Sequence, residues 1–345
     1  MVNWNRRARI VENILDTAGI TPMVRLRRIV GDVRPTIVAK VEYFNPSGSV
    51  KDRILPFLVS EAERRGDLRP GMTIIEGTTG NTGIATSCVG AVKGYPVIIV
   101  MPEGMSVERK KTIRAYGAEL VLTPGAESDV DLVIEKVKEL KDAAPGKYWE
   151  VGQFVNVDNI EAHYRTTGPE IWEQTEGKIG ALVLSQGTGG TVTGAGKYLK
   201  EQNSKIKVFA VEPAECDILA GGAWGPHKIE GIGDGFIPEV LHVEYLDGVV
   251  TTTSDESIQM ARRLAREEGI FCGISSGCNV AAAIKVANHY PNIGMIVTVL
   301  SDNGLRYFST ELCGVFTELE VPDREHPISD EDKAKLARVK LEVIQ

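Results

Sequence analysis

Short, largely apolar runs recur along the chain, and each ends at a glycine-bearing or polar turn that leads into a helical pattern. The clearest runs are Thr73–Glu76, Val97–Val100, Glu119–Leu122, Ala181–Leu184, Val208–Val211 and Met295–Leu300. A strand that is apolar throughout is buried on both faces, which is typical of a parallel sheet covered by helices. The pattern therefore predicts an α/β protein with doubly wound parallel sheets.

The segment that begins at Ser254 has the pattern of an amphipathic helix. Ser254 fits the N-cap, because its hydroxyl can accept a hydrogen bond from the first turn. Gly269 fits the position after the last turn, because glycine tolerates the left-handed conformation found there. The apolar residues between them fall on one helical face, and they are Ile258, Ala261, Leu264 and Ala265.

Composition narrows the classes of function. The chain has 345 residues, with 39 Lys and Arg against 47 Asp and Glu, and a formal net charge of −8. An acidic chain without a basic block is a poor candidate for binding nucleic acid or anionic membranes. We find no apolar run long enough to span a membrane and no secretory signal in the opening residues, so we expect a cytoplasmic protein.

Cysteine and histidine give little support to a metal site. The cysteines are five, an odd number, and none forms a C-x-x-C pair; they are Cys88, Cys216, Cys272, Cys278 and Cys313. The five histidines are scattered along the chain. We expect small buried thiols, without a disulfide framework and without a metal. A Ser-His-Asp triad stays open, because such triads assemble from distant positions.

Four segments carry residues suited to chemistry, and the first is Asn45–Arg53. Its Pro, Gly, Asn and Ser predict a turn before a helix. Lys51 then lies in the first helical turn, where the positive end of the helix dipole and Arg53 disfavour an ammonium group. A lysine with a lowered pKa can form an imine with a carbonyl cofactor. Taken alone, the segment favours an ordinary solvated lysine.

The second segment is Gly187–Thr191, with the sequence GTGGT, before a helix that starts near Val192. Glycine N–H groups can approach an anion closely and a helix N-terminus favours negative charge, so the segment could bind phosphate. Val192 stands where a dinucleotide fingerprint needs its third glycine, and no Walker lysine follows, which disfavours a nicotinamide oxidoreductase. A tight connection is the structural alternative.

Two further turns have the same strand-to-helix setting. Gly77–Gly83, with the sequence GTTGNTG, offers hydroxyls, an amide and backbone N–H groups that could hold a carboxylate. Gly273–Gly277, with the sequence GISSG, precedes a helical stretch, and Ser275 or Ser276 could be its N-cap. Each segment alone is compatible with an ordinary turn, but their order in one α/β chain is a more specific signal.

With these segments in this order, the sequence resembles the cysteine synthase and cystathionine β-synthase group of fold-type II pyridoxal-phosphate enzymes. The likeness runs from about Ile14 to Leu312. It rests on nine segments in order, which are GITPMVRL, NPSGSVKDR, EGTTGNTGIA, QFVNVDN, HYRTTGPEIWEQTEGKI, SQGTGGTVTGAGKYLKE, EGIGDGFIP, GISSG and RYFST.

The resemblance implies roles for the matched residues. Lys51 would carry the pyridoxal 5'-phosphate and move the α-proton of the substrate, Asn81 would hydrogen-bond the ring hydroxyl, and Ser275 would face the pyridine nitrogen. The phosphate would be bound by Gly187, Thr188, Gly189, Gly190 and Thr191. The substrate carboxylate would be held by Thr78, Thr79, Thr82 and Gln153, and the active-site rim would include Gly231 to Gly235.

The resemblance also implies two α/β domains with the active site in the cleft between them. We expect a smaller domain over residues 46–154 and a larger cofactor-binding domain formed by residues 1–45 plus 155–315. The highly charged residues 316–345 would form a C-terminal tail. Enzymes of this group are generally homodimers, so a homodimer is expected here.

The favoured reaction is β-replacement on an activated serine, in which O-acetyl-L-serine and sulfide give L-cysteine and acetate. The alternatives are a cystathionine β-synthase, which uses homocysteine, an O-phosphoserine sulfhydrylase, and a catalytically silent regulatory homologue. The chain departs from the family pattern at Gly77–Thr79 and at residues 300–304, near the substrate end. Homocysteine would bring a second carboxylate to a rim made acidic by Glu230, Asp234 and Glu239, so sulfide is favoured.

Overall fold

Two β-sheets organise the part of the chain that the computed structural model describes, residues 2–125 and 130–314. The strands are β1 (Met23–Arg25), β2 (Thr36–Val41), β3 (Thr73–Gly77), β4 (Val97–Pro102), β5 (Glu119–Thr123), β6 (Tyr148–Glu150), β7 (Ile179–Ser185), β8 (Lys207–Pro213), β9 (Gly248–Thr252) and β10 (Met295–Leu300). Six form one sheet in the order β1-β2-β10-β7-β8-β9, and four form the other in the order β5-β4-β3-β6. All six predicted apolar runs lie within these strands.

The strand pairing is parallel except at one edge of the larger sheet. There β1 runs antiparallel to β2, with Val24 opposite Ala39. In the centre of this sheet β10 pairs in parallel with β2 and with β7. The smaller sheet is parallel throughout its described pairs. The predicted parallel architecture is confirmed.

Helices follow most of the strands, as expected for parallel connections. They are α1 (Leu55–Arg65), α2 (Asn81–Lys93), α3 (Val107–Ala115), α4 (Val130–Ala143), α5 (Asp158–Arg165), α6 (Thr167–Gln174), α7 (Gly190–Gln202), α8 (Ser254–Arg263) and α9 (Ile274–His289). Short 3₁₀ turns add to these, among them Val50–Arg53 directly before α1. No helix in the described residues is long and apolar enough to cross a membrane.

Both faces of the larger sheet are buried, because successive residues of its strands enter different hydrophobic clusters. On one face Ala181 and Phe209 pack with the apolar residues of α8 and α9. On the other face Leu182 and Val208 pack with those of α6 and α7. This alternation explains why the strands are apolar throughout.

The smaller sheet is covered in the same way. Ile74 and Ile99 pack with α1 and α2, while Ile75 and Ile98 pack with α4. Both sheets are therefore doubly wound, as predicted.

The predicted N-cap of α8 is wrong by one residue. Thr253 is the N-cap, since its hydroxyl accepts from the N–H of Glu256 at 3.1 Å and the Glu256 carboxylate accepts from the N–H of Thr253 at 2.9 Å. This reciprocal pair occupies two N–H groups, which the hydroxyl of Ser254 alone could not do. Ser254 instead accepts from the N–H of Lys228 at 2.9 Å. Gly269 does adopt the left-handed conformation, with a φ of 71°.

The chain division follows a different boundary from the expected domains. Residues 1–314 form one compact unit, and the expected tail, residues 316–345, lies outside the described residues. The strands of the smaller sheet span residues 73–150, and those of the larger sheet lie in 23–41 and 179–300. The division into a smaller and a larger domain stays a prediction.

Candidate active site

A cavity open to solvent lies at the carboxyl ends of β3, β7 and β10, and its empty space, counted with the solvent at its mouth, is about 890 Å³. This is the edge at which parallel α/β sheets usually bind ligands. Of the expected rim, Gly233 and Gly235 do not line the cavity. The residues predicted to bind cofactor or substrate line it with the exception of Gly190, and these are Lys51, Thr78, Thr79, Asn81, Thr82, Gln153, Gly187, Thr188, Gly189, Thr191, Gly231 and Ser275. Residues up to 224 positions apart in the chain therefore meet in one place.

The lysine lies in a capped turn, as predicted. Ser49 is the N-cap of the 3₁₀ turn Val50–Arg53, and its hydroxyl accepts from the N–H of Lys51 at 3.3 Å. The Asp52 carboxylate accepts from the N–H of Ser49 at 3.2 Å. The N–H of Val50 donates to the carbonyl of Ser301 at 2.9 Å, so the turn is also fixed to the end of β10.

The charge state of Lys51 is set by burial. Burial lowers the pKa of Lys51 below its ordinary value, and the nearby carboxylates of Asp234 and Asp302 oppose this shift. Burial also raises the pKa of Asp234 to about 6, and Lys51 opposes that shift. A lysine with a lowered pKa offers more of the neutral, nucleophilic amine.

Arg53 does not act on Lys51 as the sequence led us to expect. Its guanidinium is paired with two carboxylates, Glu42 at 2.6 Å and Glu170 at 2.7 Å. Glu170 also binds the buried ammonium of Lys40 at 2.7 Å. Because the charge of Arg53 is compensated within this network, burial is the main cause of the lowered pKa of Lys51.

The GTGGT loop has the form of an anion-binding turn at the start of α7. The Thr188 hydroxyl accepts from the N–H of Gly190 at 3.3 Å and from the Asn159 amide at 3.1 Å. A Cβ at Gly187 would overlap the backbone oxygen of Gly231. Gly190, the exception among the residues predicted to bind cofactor or substrate, does not line the cavity, and a Cβ there would overlap the side chain of Asn159. Its glycine is thus required for packing behind the loop.

The last residue of this loop, Thr191, is oriented by a hydrogen bond to a buried histidine. The Thr191 hydroxyl lies 3.0 Å from Nε2 of His163, whose Nδ1 lies 2.8 Å from the Thr167 hydroxyl. Burial holds the pKa of His163 well below its usual value, so the imidazole is neutral at physiological pH. A neutral imidazole between two hydroxyls fixes the side chain of Thr191 without adding charge.

The two loops assigned to the substrate carboxylate contact each other. The Thr82 hydroxyl donates to the side-chain oxygen of Gln153 at 2.5 Å. The N–H of Gly152 donates to the carboxylate of buried Glu76 at 2.9 Å, which ties the second loop to the end of β3. Thr78 accepts from the N–H of Gly80 at 3.0 Å and closes the first loop.

The two serines of GISSG have different partners, and neither is the N-cap of α9. The N-cap is Gly273. Ser276 is fully buried, and its hydroxyl accepts from the N–H of Ser301 at 3.0 Å. Ser275 lines the cavity. The structure therefore separates a serine that lines the cavity from one that bonds to the backbone inside the protein.

Sequence reasoning missed several charged residues of the site. Arg109, from α3, lines the cavity, forms an ion pair with Glu230, and lies 4.5 Å from the centre of the Tyr307 ring. Nothing in VERKKTIRA distinguishes this arginine from its solvated neighbours. Asp302 and Arg306 also lie at the site, where both bond to the side chain of Asn81. Asp302 lies in residues 300–304, which depart from the family pattern, and this departure was the sequence signal that could have pointed to it.

Comparison with known proteins places these features in a family. A cysteine synthase of Caenorhabditis elegans is 49% identical over 308 residues, which are 89% of this chain and 91% of the relative. The crystal structure of a cysteine synthase from Entamoeba histolytica superimposes with a TM-score of 0.85 at 44% identity, covering 91% of this chain and 94% of that one.

An O-acetylserine dependent cystathionine β-synthase from Helicobacter pylori superimposes with a TM-score of 0.84 at 37% identity. That comparison covers 88% of this chain and 99% of the other. The family model for pyridoxal-phosphate dependent enzymes matches residues 14–302. With the lysine, the glycine loop and the parallel sheets in the places described, the chain belongs to the family of pyridoxal-phosphate dependent enzymes.

Proposed function

We propose that the chain is a cysteine synthase, which converts O-acetyl-L-serine and sulfide to L-cysteine and acetate. The observation that carries this proposal is the meeting of the partly buried Lys51, the GTGGT loop and the Thr82–Gln153 pair in one cavity. The cysteine synthases among the relatives support it, since they align with this chain over about nine-tenths of its length.

The residues present fit pyridoxal phosphate. The GTGGT loop leaves no room for side chains at Gly187 or Gly190 and starts helix α7, which suits a phosphate. Lys51 supplies the amine for a carbonyl group, and Asn81 and Ser275 supply polar groups for a ring. When bound, this cofactor stabilises negative charge at the α-carbon of an amino acid.

Lys51 is proposed to move the proton at that carbon. Its lowered pKa favours the neutral amine, which can accept a proton. Asp234 faces the same space, with a pKa near 6, and its charge helps to retain the proton on Lys51 once it is taken. Hydrogen bonds to Ser49 and Ser301 fix the turn around Lys51, so the backbone that carries the amine is held in place.

Thr78, Thr79, Thr82 and Gln153 are proposed to hold the substrate carboxylate. Hydroxyl, amide and backbone N–H groups at the start of α2 provide neutral donors for an anion. Because Thr82 and Gln153 already bond to each other, less side-chain freedom is lost when the substrate binds.

Sulfide is proposed as the nucleophile, although the rim carries less uncompensated negative charge than its sequence indicated. Glu239 is exposed, and the charge of Glu230 is compensated by Arg109. Asp234 remains as a carboxylate in the cavity and disfavours a second carboxylate such as that of homocysteine. The H. pylori relative is an O-acetylserine dependent cystathionine β-synthase, so homocysteine is the rival nucleophile to test.

The test is a matrix of donors and nucleophiles. Acetylserine, phosphoserine and serine are each assayed with sulfide and with homocysteine, and kcat/KM is compared. We expect acetylserine with sulfide to be preferred. A preference for homocysteine by more than about tenfold, which is ~1.4 kcal/mol in transition-state binding, would replace this proposal with cystathionine synthesis. A preference for phosphoserine would change the donor, and no turnover with any pair would support the silent homologue.

We also propose that the protein is a cytoplasmic homodimer, as is general for the group it resembles. Light scattering of the purified holoenzyme tests the homodimer, and a mass equal to one chain would contradict it. Fractionation of the native cells tests the compartment.

A further inference from the structure

Asp302 is fully buried after the end of β10, where three segments of the cavity meet. Its backbone forms an isolated bridge with Ser49, the N-cap of the turn that carries the lysine. Its carbonyl oxygen accepts from the N–H of Gly273, the N-cap of α9, at 3.2 Å. Its carboxylate accepts from the amide nitrogen of Asn81 at 2.7 Å. Asp302 thus contacts three segments, which carry Lys51, Asn81 and Ser275, the residues assigned to the cofactor.

The partners of Asn81 leave its amide only one satisfactory orientation. A carboxylate can only accept hydrogen bonds and a guanidinium can only donate them. The nitrogen of Asn81 faces Asp302, and the oxygen accepts from the guanidinium of Arg306. A reversed amide would place oxygen against carboxylate and nitrogen against guanidinium. No second acceptor for this nitrogen occurs among residues 2–125 and 130–314, so one N–H remains for a ligand in the cavity.

The carboxylate of Asp302 is itself held in place. The Tyr307 hydroxyl donates to the same oxygen at 2.9 Å, and a guanidinium nitrogen of Arg109 lies 3.8 Å from it. The other oxygen lies against Gly273, where a Cβ would overlap it. Arg306 also donates to the carbonyl of Ser47, just before the lysine turn. The charges that orient Asn81 are therefore part of a rigid network.

We propose that Asp302 is a positioning residue of the cofactor site, which acts through Asn81 so that this amide donates an N–H to an anionic oxygen of the bound cofactor. The proposal rests on the role proposed above for Asn81 at the ring hydroxyl, and it is independent of the donor and the nucleophile. An amide N–H stabilises an ionised oxygen, whereas a reversed amide would present its own oxygen and repel it.

The test compares Asp302→Asn with Asp302→Leu in the holoenzyme. Asparagine keeps an oxygen that can accept from Asn81 and Tyr307, while leucine has a similar size and no acceptor. The readouts are the pH midpoint of the visible absorbance of the bound cofactor and the cofactor dissociation constant. Both substitutions remove the negative charge of Asp302, which raises the pKa of Lys51, so this loss lowers the midpoint in both variants. Relative to the asparagine variant, we expect the leucine variant to raise the midpoint by about one unit and to weaken binding about tenfold, because only leucine removes the acceptor of Asn81.

The midpoint rises because an anionic oxygen without its donor holds nearby protons more tightly. Equal midpoints in the leucine and asparagine variants would overturn the proposal, since that would assign the whole effect to the charge of Asp302.

Asn81→Ala separates this proposal from the role of Asn81. If Asp302 acts through Asn81, Asp302→Leu and Asp302→Asn shift the midpoint equally when each is added to Asn81→Ala. A midpoint that is still higher with leucine than with asparagine in that background would show that Asp302 acts by another route and would overturn the inference. An unchanged midpoint in Asn81→Ala alone would overturn the role of Asn81, and the inference with it, while the substrate matrix would stand.

A neutron structure of the unsubstituted holoenzyme gives a measurement that does not depend on a variant folding. We expect deuterium on the Asn81 atom that faces Asp302. An amide oxygen at that place would overturn the proposal.

Discussion

Ser275 and Ser276 are neighbours at the start of α9, yet they contact different surroundings. Ser275 lines the cavity, and Ser276 accepts from the backbone N–H of Ser301 inside the protein. Successive side chains of a helix point about 100° apart, which is enough for one to face the cavity and the next to face the core. The sequence left both serines open as N-caps, because a GISSG turn contains no information on what lies across from it.

The serine pair gives a matched set of variants. Ser276→Ala should lower the free energy of unfolding by about 1–3 kcal/mol, because the N–H of Ser301 would be left without its buried acceptor. Ser275→Ala should change the visible spectrum of the bound cofactor with a smaller loss of stability. Denaturant unfolding and absorbance measure the two effects, and a reversed pattern would exchange the two serines in our assignment.

Lys51→Ala should reduce cysteine formation by at least about 10²-fold, the lower bound for loss of a positioned general base. The GTGGT loop is unchanged in this variant, so non-covalent cofactor binding should be retained in part. Turnover is measured with acetylserine and sulfide, and retention of cofactor by dialysis. Lys111→Ala, at an exposed position of α3, serves as the control. Turnover within about tenfold of the unsubstituted protein would remove Lys51 from its role.

At the scale of elements, the glycine loop before α7 depends on close approach between backbones. Gly187→Ala would drive a methyl group into the backbone oxygen of Gly231, so we expect the loop to shift and cofactor affinity to fall at least about tenfold. Gly196→Ala is the matched control, since it lies in α7 itself and its Cβ would lie 3.2 Å from a Val208 methyl group, a milder contact than the overlap of a Cβ at Gly187 with the Gly231 oxygen. Equilibrium dialysis of the apoprotein against the cofactor measures both. Equal affinities would show that the loop does not bind it.

The strands were predictable where they are continuous and apolar, and the missed ones were not of that kind. β1 and β6 have three residues each, and β2 contains the buried Lys40. The ammonium of Lys40 is tolerated inside the protein because Glu170 lies 130 positions away in the chain and 2.7 Å away in space. Local patterns cannot show such a partner. Arg109 and Asp302 were missed for the same reason. The cofactor class, in contrast, was predicted from local motifs and is confirmed by the family match.

At the scale of the whole molecule, one buried ion network ties distant parts of the chain together. Arg53 is the last residue of the turn Val50–Arg53, which carries Lys51. Glu42 follows β2, and Glu170 lies in α6. Arg53 also donates to the Thr21 hydroxyl at 3.0 Å. Removing one partner of such a network leaves a buried charge uncompensated, which costs more than the pair contributes.

Glu170→Gln should therefore lower the free energy of unfolding at pH 7 by about 3–5 kcal/mol. Arg53 holds the pKa of Glu170 well below its usual value of 4.5, so the stability that this carboxylate contributes is present above pH 4.5 and is lost as the pH falls below it. The variant should lack this part of the acid dependence. Thermal unfolding from pH 3 to pH 7 measures the difference, with denaturant titration at pH 7.

Glu267→Gln is the control for this experiment, because its partner Arg263 is a surface residue on the next turn. We expect a change below about 1 kcal/mol. A similar small effect of Glu170→Gln would show that the buried network contributes no more than a surface pair.

The position of β10 has a consequence for how the molecule forms on the ribosome. β10 is the last described strand in the chain, yet it fills the gap between β2 and β7. The smaller sheet, from residues 73–150, can form before the larger one, which needs residues 295–300. The turn that carries Lys51 depends on the same region, since the N–H of Val50 bonds to Ser301. Until these residues have been synthesised, a nascent chain therefore exposes an incomplete larger sheet to chaperones, and it can hold its cofactor only afterwards.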